Sequence, residues 1–576
     1  MIQKLPPQLP NLDNLSLAQL VAQMIVVRAS GYLFDHQIQY PDWEPPRQKL
    51  QHWVQDLGVG GIIFLGGSAA ELAVRTEELQ SWSAIPLLMA ADIEEGVGQR
   101  FSGATWFPPP MTLGAILRSN AKAIAPTNPT LALDYAYQMG AVIAQEAEAI
   151  GLNWVLAPVV DVNNNPDNPV INIRAFGEDV ATVTKLTRAF IKGSQGYPVL
   201  TTAKHFPGHG DTAVDSHLAL PVLAHSPERL ESLELEPFRG AIAAGVDTIM
   251  SAHLLIPSWD AQYPATLSPR ILTGKLRQEL GFEGLIVTDA LIMGGITNSY
   301  GATEAPILAV EAGADILLMP VDPEGAIAAV VQAVTSGRIS LTRIKQSVQR
   351  IWQAKQKIYA SRLGLQEVNP AKPAIKTCLT TSLAQPSSFA LVKSIIDDSL
   401  IVEGKVEQVA EIDLLRNNDI AQLNFCNFIY VDEAIDCDFL GRNTPAITIP
   451  QARGYKLQIL DKNSSDQLKI IDRKIDTDFP PQTLLQLFIR GNPFRGSAKA
   501  TDKAQNLVKK MLQNGELQAL IVYGSPYAYR QLRALLPKAI PSIFSYAQIP
   551  LAQAIALQAL FQISSNHDPH NKHLGN

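Results

Sequence analysis

Residues 204–217, KHFPGHGDTAVDSH, gather three of the chain's ten histidines, two aspartates and a lysine into fourteen positions. Two chemistries use such a set: metal ligation and proton transfer. His205 and His209 are four apart, the spacing of a zinc pair on one helix face. Pro207 and Gly208 stand between them, however, and an interior proline removes a helix hydrogen bond and clashes with the preceding turn. No HExxH occurs. A zinc-dependent hydrolase that ligates through His205, His209 and His217 from a loop remains as an alternative.

Proton transfer uses more of the residues. Lys204 and His205 end a candidate strand, and Gly208 and Gly210 suit a turn that returns through DSH. Asp215 and His217 are two apart, so an extended backbone puts both on one side. A carboxylate beside an imidazole fixes its tautomer and favours its charged form. His217 is therefore a candidate proton shuttle near neutral pH. The plain alternative is a loop histidine held by an ordinary hydrogen bond. Asp289, in VTDALIM (287–293), ends another candidate strand among apolar neighbours. A lone carboxylate there suits attack on a sugar anomeric carbon. Its plain alternative is the N-cap of the following helix.

The elements that carry these residues are legible as apolar runs. Before residue 321 the runs are 24–28, 61–66, 87–92, 153–161, 199–205, 248–253, 285–290 and 314–320. Each is short and nearly continuous in apolar character, as strands buried on both faces are. Helical periodicity fills the gaps, for example over 131–151, 227–245 and 268–281. Eight such alternations predict a (β/α)8 TIM-type barrel in an α/β chain. An open doubly wound sheet is the second choice, and it usually carries a Gly-rich phosphate turn that is missing here. Asp92, Asp161, His205, His253 and Asp289 all fall at strand C-termini, the face on which such barrels build active sites.

At 576 residues the chain exceeds one hydrophobic core. The barrel is expected over 1–360, followed by a Pro/Ser/Thr-rich connector at 361–395. A smaller α/β domain is expected over 396–565, and a polar tail over 566–576. In that second domain strands are expected at 425–432, 445–450, 483–491, 517–524 and 541–546, with helices at 501–515 and 549–561. Net charge is −7, which argues against a nucleic-acid partner. The three cysteines, Cys378, Cys426 and Cys437, have no metal-like spacing and read as idle thiols in a reducing compartment. The N-terminus has no apolar leader core, and no run reaches the length of a membrane span. A cytoplasmic protein without membrane partner or cofactor is expected.

The stretch KHFPGHGDTAVDSH resembles the signature of bacterial β-N-acetylglucosaminidases of glycoside hydrolase family 3, enzymes of peptidoglycan turnover. The resemblance continues in order through DIEEGVGQRF (92–101), NIRAFGED (172–179), TIMSAH and VTDALIM. VYGSPYAYRQLRALLP and PSIFSYAQIPLAQAIALQALF resemble the α/β sandwich of two-domain members. It implies a retaining exo-hydrolase of terminal non-reducing β-N-acetylglucosamine, acting on muropeptide or chitin-type fragments. Asp289 would be the nucleophile, and His217 held by Asp215 the acid/base. Asp92, Arg100, Arg174, Lys204 and His205 would hold the sugar, with His209 behind them. Glu95 stands where glycine is common in the family, and Ala290 where a second Asp is frequent. The alternatives within the family are a β-glucosidase or β-xylosidase and a phosphorylase; a sugar-binding pseudoenzyme is a further one.

Overall fold

The computed structural model describes residues 9–122, 130–212, 220–360, 382–407, 409, 425–464, 481–490 and 497–563. The chain forms two compact units, Met1–Leu391 and Val392–Asn576. The strands of the first unit are β1 Ile25–Ala29, β2 Gly61–Phe64, β3 Leu88–Ala91, β4 Trp154–Val155, β5 Leu200–Phe206, β6 Thr248–Ser251, β7 Leu285–Val287 and β8 Leu317–Leu318. One falls in each of the eight apolar runs. They pair in parallel in the order β8-β1-β2-β3-β4-β5-β6-β7. A parallel bridge from Val287 to Ile316 joins β7 to β8, and the Thr288 amide donates to the Ile316 carbonyl at 3.0 Å. The sheet thus closes as a TIM-type barrel, as the alternation of runs and helices led us to expect.

Continuous burial explains why these runs are strands rather than amphipathic elements. Ile62, Leu88, Ala90, Ile249 and Ile286 are all inaccessible to solvent. Fully apolar strands need cover on both faces, and the crossover helices supply the outer one. Helices Leu131–Ala149 and Val180–Ser194 pack closely. A Cβ at Gly140 would lie 2.2 Å from the Phe190 carbonyl oxygen, and one at Gly193 would lie 1.9 Å from that of Tyr137. Only glycine allows that approach.

β4 is shorter than the run 153–161 that contains it. Pro158 has no N–H to give to a ladder. Pairing resumes at once, with Val159 bridging to Lys204 and the Val160 amide donating to the Lys204 carbonyl at 2.7 Å. The helix expected over 227–245 is instead three short pieces, Pro227–Arg229, Leu230–Glu234 and Glu236–Ala243, with Pro237 in the first turn of the last. That is where proline is tolerated.

Lys355, on helix Leu341–Ala360, is wholly buried, and its Nζ donates to Gln23 Oε1 at 2.7 Å. Burial pushes its amine down from 10.5 to about 7. Between those pH values the unfolded chain binds a proton that the folded chain does not, so folding stability rises with pH. Urea unfolding of wild type from pH 7 to 10 should show that rise. Lys355→Met should flatten it.

The second unit holds a six-stranded sheet. Its strands are β9 Ile401–Glu403, β10 Phe425–Val431, β11 Lys456–Leu460, β12 Gln482–Ile489, β13 Leu517–Gly524 and β14 Ser542–Ser545, ordered β9-β14-β13-β12-β10-β11. All pairs are parallel except β9 with β14. The edge strands β9 and β11 escape sequence reading because each is buried on one face at most. Residues 386–395 of the expected connector belong to a helix, Pro386–Ser399; residues 361–381 lie outside the described residues. So does the polar tail.

PAITIP (445–450), expected as a strand, is a helix, Pro445–Ala452. Proline at its first position is preorganised for helix. Pro450 leaves the Ala446 carbonyl without its intrahelical donor. Buried Asn427 Nδ2 and Gln486 Nε2 supply two donors to that carbonyl, at 2.9 and 2.7 Å. A short apolar run does not by itself separate strand from helix. Here side chains on β10 and β12 stabilise the helical choice. No helix among the described residues is long and apolar enough to cross a membrane.

Candidate active site

The rim at the strand C-termini carries two linked polar networks. The first centres on Glu94, two residues beyond Asp92 on the loop after β3. Lys204, 1 % exposed on β5, places Nζ 2.6 Å from Asp92 Oδ1 and 2.6 Å from Glu94 Oε1. Arg174 grips Glu94 with both arms of its fork, Nε to Oε2 at 2.9 Å and Nη2 to Oε1 at 2.8 Å. Its Nη1 donates to the Val170 carbonyl at 2.9 Å. Bidentate pairs fix geometry as well as charge. Arg100, exposed, donates through Nε to the Asp92 carbonyl at 3.1 Å.

Two cations and two carboxylates balance in this network. Burial alone would push Glu94 up, but the charges of Arg174 and Lys204 outweigh it and hold the carboxyl well below its usual range. The counterpart holds for the cations: burial lowers Lys204, and Asp92 and Glu94 reverse this and raise it. Arg174 is likewise held above its ordinary value, with Glu94 outweighing burial. Glu94 was not among the residues expected at the site. Its only signal in the sequence is its place in the DIEEG motif beside Asp92.

The second network centres on Asp161, fully buried after β4. His205 Nδ1 lies 2.9 Å from Asp161 Oδ2, and the His205 and His209 amides donate to Asp161 Oδ1 at 3.2 and 2.7 Å. A carboxylate only accepts, so Nδ1 carries the proton in this contact, and a neutral His205 ring has a bare Nε2. Successive side chains of a regular strand point to opposite faces. The ladder register shifts between Lys204 and Phe206, which interrupts that alternation. Both Lys204 and His205 then meet carboxylates on the rim. Burial pushes Asp161 up, and the neighbouring His205 and His209 more than offset it, leaving the carboxyl below its ordinary value.

His209 is buried behind these groups on the Gly208 turn, where φ is +132°. Its Nδ1 lies 2.8 Å from Thr212 Oγ1. Burial drives it from 6.5 to about 4, against the pull of Asp161 and, more weakly, Asp289. It is neutral at working pH and cannot serve as an acid there. NMR of its ring should show no titration between pH 5 and 8. Between pH 6.5 and about 4 the unfolded chain binds the extra proton, so stability falls with acid over that window. His209→Asn should remove that part of the acid loss, read from unfolding midpoints at pH 4.5 and 7.

Asp289 stands half-buried after β7. Its amide donates to the Ser251 carbonyl at 3.2 Å, and its Oδ1 accepts the Ala290 amide at 2.7 Å. His253, after β6, is buried with Nε2 3.1 Å from the Ala290 carbonyl and Nδ1 2.8 Å from Thr266 Oγ1. The carbonyl only accepts, so Nε2 bears the proton in that contact, while Nδ1 faces the Thr266 hydroxyl, which itself donates to the Ala252 carbonyl at 2.9 Å. His253 is thus a strut on the Ala290 carbonyl, one residue beyond Asp289.

The structure brings Asp92, Arg100, Arg174 and Lys204 together, and links them to the His205 network through the electrostatic pull of Asp161 on Arg174. Asp289 stands at the end of β7 on the same rim, and its charge acts weakly on His209. Asp215 and His217 lie outside the described residues. Among the described residues no cluster of three or more His, Cys, Asp or Glu is arranged to hold a metal ion. Glu95, at the position that departs from the usual glycine, is buried and accepts from the Trp106 indole N–H at 3.0 Å.

Comparison with known proteins places both halves of the chain. Residues 16–354 match the glycosyl hydrolase family 3 N-terminal domain, and residues 419–562 match the bacterial glycosyl hydrolase family 3 C-terminal domain. Beta-hexosaminidase A of Pseudoalteromonas piscicida is 30% identical over 559 residues, covering 91% of this chain and 86% of that protein. A beta-hexosaminidase of Thiobacillus denitrificans is 37% identical over 270 residues, 46% of this chain and 72% of that one. The structure of a family 3 beta-N-acetylglucosaminidase from a Paenibacillus species superposes with a TM-score of 0.74 at 29% identity, covering 95% of this chain and 97% of the other. A closed barrel with a charge-balanced rim, a half-buried aspartate on it, and both domains of the family in order lead to one assignment: the chain is a glycoside hydrolase and belongs to glycosyl hydrolase family 3.

Proposed function

We propose that this glycoside hydrolase of the β-N-acetylhexosaminidase type removes terminal non-reducing β-N-acetylglucosamine from muropeptide or chitin-type fragments, in the cytoplasm, with retention of configuration. The observation that carries the reading is the Asp92–Lys204–Glu94–Arg174 network on the same rim as Asp289. Fixed charged donors and acceptors of this kind position sugar hydroxyls, and positioning lowers the barrier by fixing a near-attack geometry.

In the first step Asp289 Oδ attacks the anomeric carbon, and the bond from that carbon to the leaving oxygen breaks. The leaving oxygen takes the proton of His217 as imidazolium. In the second step water attacks the anomeric carbon of the glycosyl-enzyme, His217 as neutral imidazole takes the water's proton, and the bond to Asp289 breaks. Most retaining glycosidases use two carboxylates for these roles; here the sequence neighbours Asp215 and His217 in DSH support an imidazole for the second. His205, with Nδ1 committed to Asp161, offers Nε2 to a sugar hydroxyl.

Hydrolysis of aryl β-N-acetylglucosaminide against aryl β-glucoside tests the substrate. Preference for the first by a factor of about one hundred is expected, since a site built to hydrogen-bond a substituent rejects the analogue that lacks it by 10⁴ or more at its best. Cleavage of the glucoside alone would overturn the reading. Product analysis in phosphate buffer separates hydrolysis from phosphorolysis, and the free sugar rather than its 1-phosphate is expected.

A further inference from the structure

The loop that leaves β1, residues 30–46, holds an unusual surface. Phe34, Tyr40 and Trp43 are 60%, 49% and 38% exposed. Single exposed apolar side chains are ordinary on soluble proteins. Three large aromatics within ten positions are not, and contiguous exposed apolar surface marks a binding site more often than an accident. The other exposed aromatics among the described residues, Tyr137 and Phe389, stand singly on helices Leu131–Ala149 and Pro386–Ser399.

The rings are held out by a built loop. Trp43 stacks on Tyr40 with centroids 6.2 Å apart and planes at 26°, and Phe34 stacks on His36 at 5.7 Å and 16°. The turn beneath the first pair is tied by Glu44, whose Oε2 accepts the Tyr40 amide at 3.3 Å. The Trp43 and Glu44 amides donate to the Tyr40 carbonyl at 2.9 and 2.8 Å. Glu44 itself is 2% exposed. Arg28 donates to the Asp42 carbonyl at 3.1 Å, and Gln37, which accepts the Phe34 amide, donates to Glu71 at 2.9 Å. Preorganised rings have little freedom left to lose on binding.

The position of the loop says what the rings meet. It leaves the C-terminal end of β1, on the rim that carries Asp289. The Gly31 amide donates to the Gly66 carbonyl at 2.8 Å, and the next amide, Gly67, donates to the Arg100 carbonyl at 3.2 Å. Arg100 in turn bonds the Asp92 backbone. The base of the aromatic loop, at Gly31, is therefore tied through Gly66 and Gly67 to the Arg100 strip beside Asp92. A β-linked glucosamine has its hydroxyls at the ring edge and C–H bonds on both faces, so its faces suit flat aromatic surface, and the Tyr and Trp polar edges suit its hydroxyls.

We infer that loop 30–46 is the aglycone platform: Tyr40 and Trp43 stack the β-linked sugar that follows the scissile bond. The inference rests on the proposed hexosaminidase activity and adds the part of the substrate that the rim network does not hold. The test compares a leaving group that reaches the loop with one that does not. kcat/KM is measured on an N-acetylglucosamine tetrasaccharide and on β-N-acetylglucosaminyl fluoride, for wild type, Tyr40→Ala, Trp43→Ala and Trp43→Phe. The alanine variants should lower the ratio of tetrasaccharide to fluoride about tenfold, equivalent to about 1.4 kcal/mol, and Trp43→Phe should restore most of it.

An unmoved ratio, or a wild type that cleaves the fluoride but not the tetrasaccharide, overturns the platform and leaves the hexosaminidase reading standing. A wild type that cleaves neither removes the activity reading first. Loss of a dimer in Trp43→Ala, seen by sedimentation with the ratio intact, assigns the patch to a second copy instead and also overturns the inference.

Discussion

Replacing Asp289 with alanine is expected to lower kcat on an aryl β-N-acetylglucosaminide by roughly four orders of magnitude or more, as loss of a catalytic nucleophile does elsewhere. The fold should hold. The carboxylate is half-buried and its Oδ1 accepts the Ala290 amide, a bond of about 0.5–1.5 kcal/mol that truncation forfeits. The backbone at this point stays fixed by the Ser251 carbonyl and by the His253 strut on Ala290. An unchanged thermal midpoint with lost turnover separates chemistry from folding. Added azide gives a second reading. With the carboxylate gone, azide enters the vacated space, attacks the anomeric carbon once, and yields an inverted glycosyl azide. Full turnover by Asp289→Ala would remove Asp289 from the reaction.

Glu94→Gln is the second large expectation. It deletes the charge that faces both Lys204 at 2.6 Å and Arg174 at 2.8 Å. Removing one member of a buried ion network leaves uncompensated charge, which costs about 3–5 kcal/mol. kcat/KM should fall about a hundredfold if, as proposed, Lys204 and Arg174 hold the sugar, because both lose the geometry Glu94 fixes; a network held within about 0.5 Å has little slack. The pH dependence has a definite sign. The folded pKa of Glu94 is depressed, so its stabilisation is present above the usual carboxylate value near 4.5 and is lost as pH falls below it. The folded pKa of Lys204 is raised, so its stabilisation is present below 10.5 and is lost as pH rises above it. Wild type should therefore hold a plateau between these limits from this network, and Glu94→Gln should lose the acid limb. A variant that unfolds at the wild-type midpoint across that range would show that the charges are not coupled.

The sequence was informative where burial is uniform. Runs such as GIIFLG and LIVTDA are apolar on both faces, as strands inside a double layer are, and eight of them alternating with helical segments led to the barrel. Asp92, His205 and Asp289 were legible because each is a polar residue ending such a run. Glu94 was not: a second carboxylate in DIEEG looks like surface charge until Arg174, eighty positions on, is seen folded against it. His253 looked like a rim group, and only the two partners of its ring make it a strut. PAITIP read as a strand because it is short and apolar, and the donors that stabilise its helix come from Asn427 and Gln486 on other strands. The aromatics of loop 30–46 carry no periodicity, so their exposure is visible only once the loop is folded.

The covalent intermediate is the most direct test of the central claim. A slow fluorinated β-N-acetylglucosaminyl donor, with a good leaving group, is incubated with the enzyme, and the protein is digested and sequenced by mass spectrometry. A mass increase of one sugar residue on Asp289, lost on adding water-accepting turnover time and absent in Asp289→Ala, is the expected result. No adduct in an enzyme that turns the donor over, or an adduct on any other residue, would contradict retention through Asp289.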